Sequence, residues 1–263
     1  MDLITFIHEL AWPDLPYEVL QQARRCLLDT LGAGIGGWQT DCARITRDFV
    51  AQVFASRGAQ LWLDGREVSL PGAALANAMA TDSLDIHDGH SLAKGHAGAT
   101  LVPADLATLS LAPSIPGTEL LTTLAVGYEI ALRAGMALHT TSRDYHTSGA
   151  WNALGAAAVT ARRLGLGSEA TRHALGIAEY YGPRSQMMRG IAHPTMLKDG
   201  SGWGALVGVS AGLLSQAGFT GAPAVTIEGL EVTALWNDLG ERWHFLEQLL
   251  QAPPRLPLGP TRR

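Results

Sequence analysis

Small residues recurring at helical spacing constrain this chain more than any other feature. It carries 30 glycines in 263 residues, and alanines stand four apart in runs such as Ala74/Ala78 and Ala153/Ala157/Ala161. Small side chains at that spacing let helix backbones approach closely. A sheet would instead ask for runs of β-branched residues, which are missing here. The pattern predicts an all-α fold, a compact many-helix bundle. The length allows one large core, or one domain with an appendage.

A first helix is expected from about Pro16, with proline in the first turn, closing in the stretch Gly32–Gly37. Others are expected over Cys42–Ala55, Pro71–Ser83, Ala99–Leu109, Gly117–Met136, Gly149–Leu164, Ser168–Tyr180 and Asp199–Gln216. Ser168 is read as the cap of its helix. Gln60–Ser69 reads as a small hairpin around Asp64-Gly65, a strong turn dipeptide. Beyond Ala222 regular pattern is sparse, and the chain shows no solenoid period.

A net charge of −5 gives no reason to expect nucleic acid or an anionic membrane as partner, so any anion site must be built locally from a few cations. Cys26 and Cys42 lack CxxC spacing and read as buried thiols in a reducing compartment. Met1–Leu10 contains Asp2, His8 and Glu9, which is unlike a secretory signal. The most apolar stretch, Leu120–Leu138, holds Glu129 and Arg133. Each charge costs about 2.5–3.5 kcal/mol at the centre of a lipid-spanning helix, so the stretch reads as a buried helix of a cytoplasmic protein.

Four polar stretches interrupt the apolar and glycine-rich background: Leu84–His90 with Lys94–Gly98, Tyr145–Gly149, Arg184–Arg189, and Thr195–Gly202. Three of them precede an expected helix by a few residues, a geometry that brings free backbone N–H groups and a side chain to one point and favours a carboxylate. Lys198 beside the positive end of a helix is unfavourable for stability and becomes sensible when an anion occupies the site. Bland readings stand beside these. Asp85 and Asp88 can be turn formers, His87 and His90 loop histidines, and Lys198 a solvated lysine. A mixed N/O metal site from His87-x-x-His90, His96, Asp85 and Asp88 is a further possibility, with a metal-dependent hydrolase as its enzyme form. Gly89 interrupts that pair, and no metal is the expectation.

Taken together, the motifs resemble the MmgE/PrpD family, which includes 2-methylcitrate dehydratase. Leu28-Asp29-Thr30-Leu31-Gly32 is similar to the end of that family's opening helix, and Leu84–Asp88 to its Leu-Asp-x-Asp-Asp segment. His96-x-Gly98 followed by Pro103-Ala104 resembles its His-Pro-Gly…Pro-Ala signature, and Gly127-Tyr128-Glu129 with Arg133 its Gly-Tyr-Glu…Arg helix. His146, Ala174–Ala178, Lys198-Asp199-Gly200 and Gly218–Gly221 complete a series that spans Leu15 to Gln248. Ala97, His87 and Gly89 depart from the pattern, where members carry Pro, Asp and Thr.

The resemblance implies a cofactor-independent lyase or isomerase that moves a proton or a carboxylate on a carbon flanked by carboxylates of a small polycarboxylate. It implies His96 and His146 as acid/base residues, Lys198 as substrate anchor, and Asp85 as the carboxylate that orients a histidine or shares a proton. His87, Asp88, Lys94, Arg184 and Gln186, in the same polar stretches, are the candidate substrate-binding side chains. A homodimer is also implied.

Family members continue after the counterpart of Trp243–Gln248 into a second, α/β domain that covers the site and adds a lysine. Residues 1–248 are therefore expected to be the helical domain, without that C-terminal lid. The Pro-rich, basic 249–263 is expected to be a disordered tail. Codons chosen for Leu250–Thr261 can spell Phe-Lys-Pro and onward one base later, so a frameshift is one expected origin of the tail. An inactive remnant or assembly subunit, served by a separate lid-domain chain, is the competing expectation.

Overall fold

The computed structural model describes residues 1–112 and 114–250; the expectations for the tail lie outside the described residues, apart from its first two residues. Helices dominate, with one two-stranded sheet. In chain order they are α1 (Leu3–His8), α2 (Tyr17–Gly37), α3 (Asp41–Val53), α4 (Leu70–Asp82), α5 (Gly98–Ala107), α6 (Gly117–Thr141), α7 (Gly149–Leu164), α8 (Ser168–Tyr181), α9 (Met187–Ala192), α10 (Ser201–Gln216) and α11 (Val225–Glu228). Strands β1 (Ala55–Gln60) and β2 (Glu67–Val68) pair antiparallel, and a bulge sets both Ala55 and Ala59 opposite Val68. The turn between them contains Gly65 at φ +81°, so the hairpin lies where Asp64-Gly65 placed it, with its first strand starting earlier than expected.

Helices α6 and α7 form the centre, and α10 lies against α7, α4 and α8. The contacts are close because the residues at them are small. A Cβ on Gly208 of α10 would lie 2.6 Å from the Ala153 carbonyl oxygen of α7, and one on Gly155 of α7 would lie 2.6 Å from that of Gly127 in α6. Such glycines forgo helix propensity, about 1 kcal/mol each against alanine, in exchange for dispersion contacts along the facing helices. The two cysteines are buried free thiols.

Helix α2 ends at Gly37, inside the stretch where its close was expected, and Gly37 also packs directly on the Ala80 carbonyl of α4. Several other boundaries differ from expectation for identifiable reasons. Helix α6 runs on to Thr141, where Thr140 and Thr141 hydroxyls bond back to carbonyls one turn earlier. Ser168 is the first residue of α8 rather than its cap; Gly167 holds that place without a side-chain bond. Helix α10 begins at Ser201, since Lys198 and Gly200 have φ of +51° and +70° and cannot belong to a right-handed helix.

The segment after Ala222 is held by the buried pair on α6. Glu129 accepts the backbone N–H groups of His244 and Phe245, at 3.2 and 2.9 Å, and the Nε–H of Arg133 at 2.7 Å. Arg133 donates onward to the carbonyls of Leu235 and Arg242 and to Asp238. The Gly-Tyr-Glu…Arg motif is thus a clamp for a poorly patterned segment. Past it, Gly89 and Leu249 exchange two backbone hydrogen bonds, 2.8 and 2.7 Å, which brings the end of the described chain to the back of the 84–90 loop.

Candidate active site

Helices α5, α7 and α10 start at one place. Gly149 N–H, opening α7, donates to the Asp199 carbonyl at 3.0 Å, and the Thr100 hydroxyl of α5 donates to the Ser201 carbonyl of α10 at 3.0 Å. A Cβ on Gly204 would sit 2.7 Å from the Gly149 carbonyl oxygen, so only glycine lets these starts meet. None of the three N-caps, Ala97, Ser148 and Gly200, caps its helix with a side chain. Of the three positive helix ends that converge, that of α5 is met by the Asp88 carboxylate at Gly98 N–H, whereas no side-chain anion bonds the first turns of α7 and α10 among the described residues.

His96 stands at this junction. Its ring donates Nδ1–H to the Asp88 carbonyl at 2.5 Å, which leaves Nε2 as the basic nitrogen. Nε2 faces two carboxylates, Asp85 at 3.7 Å and Asp199 at 3.8 Å. The backbone of His96 is fixed as well: its N–H donates to Ser148 Oγ at 3.1 Å and its carbonyl accepts from Asn152 at 2.6 Å. The ring stays partly open, with 27% of its side chain exposed.

Asp85, Lys94 and Lys198 all have φ near +55°, and with Leu63 they are the non-glycine residues at positive φ among the described residues. Each costs about 1–2 kcal/mol for an ordinary side chain. Three of four such positions flank one site, so strain is concentrated there.

Asp88 and His87, expected to touch substrate, are instead internal. Asp88 is fully buried, accepting the Tyr128 hydroxyl at 2.5 Å and the Gly98 N–H at 3.1 Å. His87 is buried with Nε2 3.1 Å from Asp82 Oδ1. Burial alone would lower its pKa, but the Asp82 carboxylate outweighs burial and lifts it to about 9. His87 is therefore a cation locked to Asp82, edge-on to the His96 ring at 4.6 Å between centroids. Both residues hold the loop rather than line an opening.

Donor atoms of Asp85, His87 and His96 lie within 4.8 Å of one another. A metal there would compete with the His87–Asp82 bond. His90 cannot join it, since Nδ1 accepts Ala93 N–H and Nε2 donates to the His244 carbonyl. The His-x-x-His pair does not converge on a common centre.

The other polar stretches bound a cavity of ≈320 Å³ whose lining includes Thr147, Gln186, Arg189, His193, Lys198 and Trp203. Lys198 is half-buried and makes no ion pair among the described residues. Gln186 lines the cavity and donates to Asp144 at 3.1 Å. Arg184 and Lys94 are exposed and do not line it. His146 donates Nδ1–H to the Asp144 carbonyl at 2.8 Å, and its N–H reaches His139 at 3.3 Å. No hydrogen bond or ion pair joins it to His96 among the described residues; the link is through Ser148, two positions on. His96 does not line the cavity either. Thr147 and Gly200 form the wall between, each one residue from a group that faces His96.

Sequence reading passed over Asp199, Ser148, Asn152 and Tyr145. Asp199 is nearly buried and accepts the Ser148 hydroxyl at 3.1 Å. Burial raises its carboxyl pKa, and the Asp82 charge adds to that, while His96 opposes it. Burial, then the charges of Asp199 and Asp85, push the Tyr145 phenol up. The Lys198-Asp199-Gly200 triplet was visible in the sequence, but nothing in it marked Asp199 over Lys198.

Comparison with known proteins adds a family. The family model described as the MmgE/PrpD N-terminal domain matches residues 1–235. Human cis-aconitate decarboxylase is 32% identical over 184 residues, 66% of this chain and 37% of that protein. The cis-aconitate decarboxylase-like protein oryM of Aspergillus oryzae is 28% identical over 190 residues, 67% of this chain and 39% of that protein. Cis-aconitate decarboxylase of Aspergillus terreus is 26% identical over 224 residues, 80% and 44%. The chain spans about two-fifths of the length of the curated relatives it matches. No described helix is long and apolar enough to cross a membrane.

Proposed function

This chain belongs to the MmgE/PrpD family, and on that footing we propose that its helical domain, residues 1–248, acts on a small polycarboxylate as a lyase with no bound cofactor. The observation that carries the reading is His96: one nitrogen is pinned to the Asp88 carbonyl, and the other faces Asp85 and Asp199 where three helix starts meet, with Lys198 adjoining Asp199 in the chain. A base of that kind takes a proton from a carbon next to a carboxylate, or returns one to it. The charge that then spreads onto the carboxylate is met by the Lys198 ammonium and by backbone N–H groups. His146, on the adjoining loop, is the second proton carrier.

Two outcomes fit this chemistry. In a decarboxylation the C–CO₂ bond breaks, its electron pair stays on carbon, and a protonated histidine delivers the proton there. In a dehydration the base removes a proton from one carbon while an acid protonates the departing hydroxyl on the next. The relatives' names support decarboxylation of a cis-aconitate-like acid as the first to test, with 2-methylcitrate dehydration second.

The experiment is to incubate the chain with each acid and follow carbon dioxide and products by NMR, alongside His96→Gln and Lys198→Ala. Turnover lost in both variants supports the proposal. Turnover that survives His96→Gln undiminished removes His96 from it. Saturable binding of these acids without turnover favours a non-catalytic binding domain.

A further inference from the structure

We propose that Asp199, held by Ser148, is the positioning carboxylate of His96. This rests on the reading of His96 as the proton carrier and deepens it, because the resemblance of the motifs implies Asp85 in that role instead.

Both carboxylates face Nε2 at nearly the same distance, 3.7 Å for Asp85 and 3.8 Å for Asp199. Their surroundings differ. The Asp85 side chain is 55% exposed, and no hydrogen bond among the described residues holds its carboxylate in place. The Asp199 side chain is 7% exposed and accepts the Ser148 hydroxyl at 3.1 Å. That same hydroxyl oxygen accepts the backbone N–H of His96 at 3.1 Å. The contacts close on themselves: His96 N–H donates to Ser148 Oγ, the Ser148 hydroxyl donates to Asp199 Oδ2, and Asp199 Oδ2 stands 3.8 Å from His96 Nε2, a charge contact without a hydrogen bond. The Asp199 backbone is tied in too, through its carbonyl and Gly149 N–H at 3.0 Å.

A charge in water is screened and mobile, whereas a buried and bonded one acts on its neighbour at close to full strength. Asp199 therefore places a fixed negative charge beside His96 Nε2, and Ser148 sets where Asp199 stands. The other charged and titratable groups that face this ring are Asp82 and His87 from α4 and the loop after it, Asp85 from that loop, and Tyr145 from the loop before α7. Asp82 is already engaged by His87, which leaves Asp199 as the buried carboxylate available to His96.

The test reads one ring and not turnover. Diethylpyrocarbonate carbethoxylates only an unprotonated imidazole nitrogen, and the rate at His96 can be followed at pH 6 by peptide mass mapping. Removing the positioning charge in Asp199→Asn, a near-isosteric change, is expected to speed modification by more than about twofold, because a charge that favours the protonated ring is gone. Asp85→Asn is expected to change it less than about twofold, since that charge is solvated. Ser148→Ala is expected to speed it by an intermediate factor, and it carries the comparison with Asp85→Asn if Asp199→Asn does not fold. A larger effect from Asp85→Asn than from Asp199→Asn or Ser148→Ala overturns the proposal. So does an unchanged rate in both of the latter. Because no substrate is involved, the outcome stands whether or not a polycarboxylate is turned over.

Discussion

His96 donates its Nδ1–H to the backbone carbonyl of Asp88 at 2.5 Å, and this one bond decides which nitrogen of the ring is available for chemistry. The Asp88 backbone is in turn immobilised through its side chain, which is fully buried and accepts from Tyr128 and Gly98. The orientation of His96 is therefore anchored in the core of the bundle, on α6 and the start of α5.

Replacing Tyr128 with Phe leaves one oxygen of a buried carboxylate without its donor. The expected cost is about 1–3 kcal/mol of stability, measured as a lower urea midpoint with an unchanged slope. An unchanged midpoint would mean that Asp88 finds another partner.

Gly98→Ala attacks the same anchor from the other side. A Cβ there would lie 2.5 Å from Thr30 Oγ1 and 2.8 Å from Asp88 Oδ1, and Asp88 cannot yield without losing its bonds to Gly98 and Tyr128. A loss of about 1–3 kcal/mol is expected from such overpacking. It should be read by thermal unfolding beside Gly117→Ala, which meets nothing within 4 Å and should be close to neutral.

The His87–Asp82 pair makes stability depend on pH. With a folded pKa near 9 against an ordinary 6.5, His87 contributes fully below about pH 6.5, and its contribution is lost as pH rises through about 9. The amount is at most roughly 3 kcal/mol. Urea midpoints should therefore fall between pH 6.5 and 9, and His87→Gln should flatten that fall while lowering stability at pH 6. A wild-type midpoint that rises across that window would contradict the assignment.

Arg133 sits fully buried between Glu129 and the 235–242 segment. Arg133→Met strands the Glu129 carboxylate and unpins that segment, and about 3–5 kcal/mol should be lost. Limited proteolysis is expected to cut first between Leu230 and Leu249. Cutting elsewhere first would show that the clamp is not what holds this segment.

Lys198→Ala tests the anion site directly. Citrate-like acids at a hundredfold excess over Kd stabilise a folded protein by about 2.7 kcal/mol, which for a chain of this size is on the order of 5–10 °C in melting temperature. The wild type should show a saturable shift of that kind, and Lys198→Ala should lose most of it. Equal shifts in the two proteins would place the binding elsewhere.

Much of this was legible from residue order. The helices from Cys42 to Gln216, the short α9 excepted, were marked by small-residue spacing and by glycine and proline punctuation, because local backbone preference and burial agree along most of their length. Where boundaries moved, local preference was overridden, as at Lys198 and Gly200, whose positive φ holds back the start of α10 to Ser201. In the site, His96, Asp85 and Lys198 were visible as polar residues in glycine-rich loops. Asp199 and Ser148 were not, since a carboxylate after lysine and a serine before glycine have ordinary roles in any turn.

By itself the sequence determined a many-helix bundle, the loops that hold polar residues, and the family to which the chain belongs. Only the tertiary structure decided what each polar residue is for. Asp85, Asp88 and Asp199 are chemically the same group in similar glycine-flanked stretches. One is solvated beside the site, one is spent on the core, and one is buried against the histidine. That difference comes from where three helix starts meet, through contacts such as Tyr128–Asp88 and Ser148–Asp199, 40 and 51 positions apart, which no local pattern encodes.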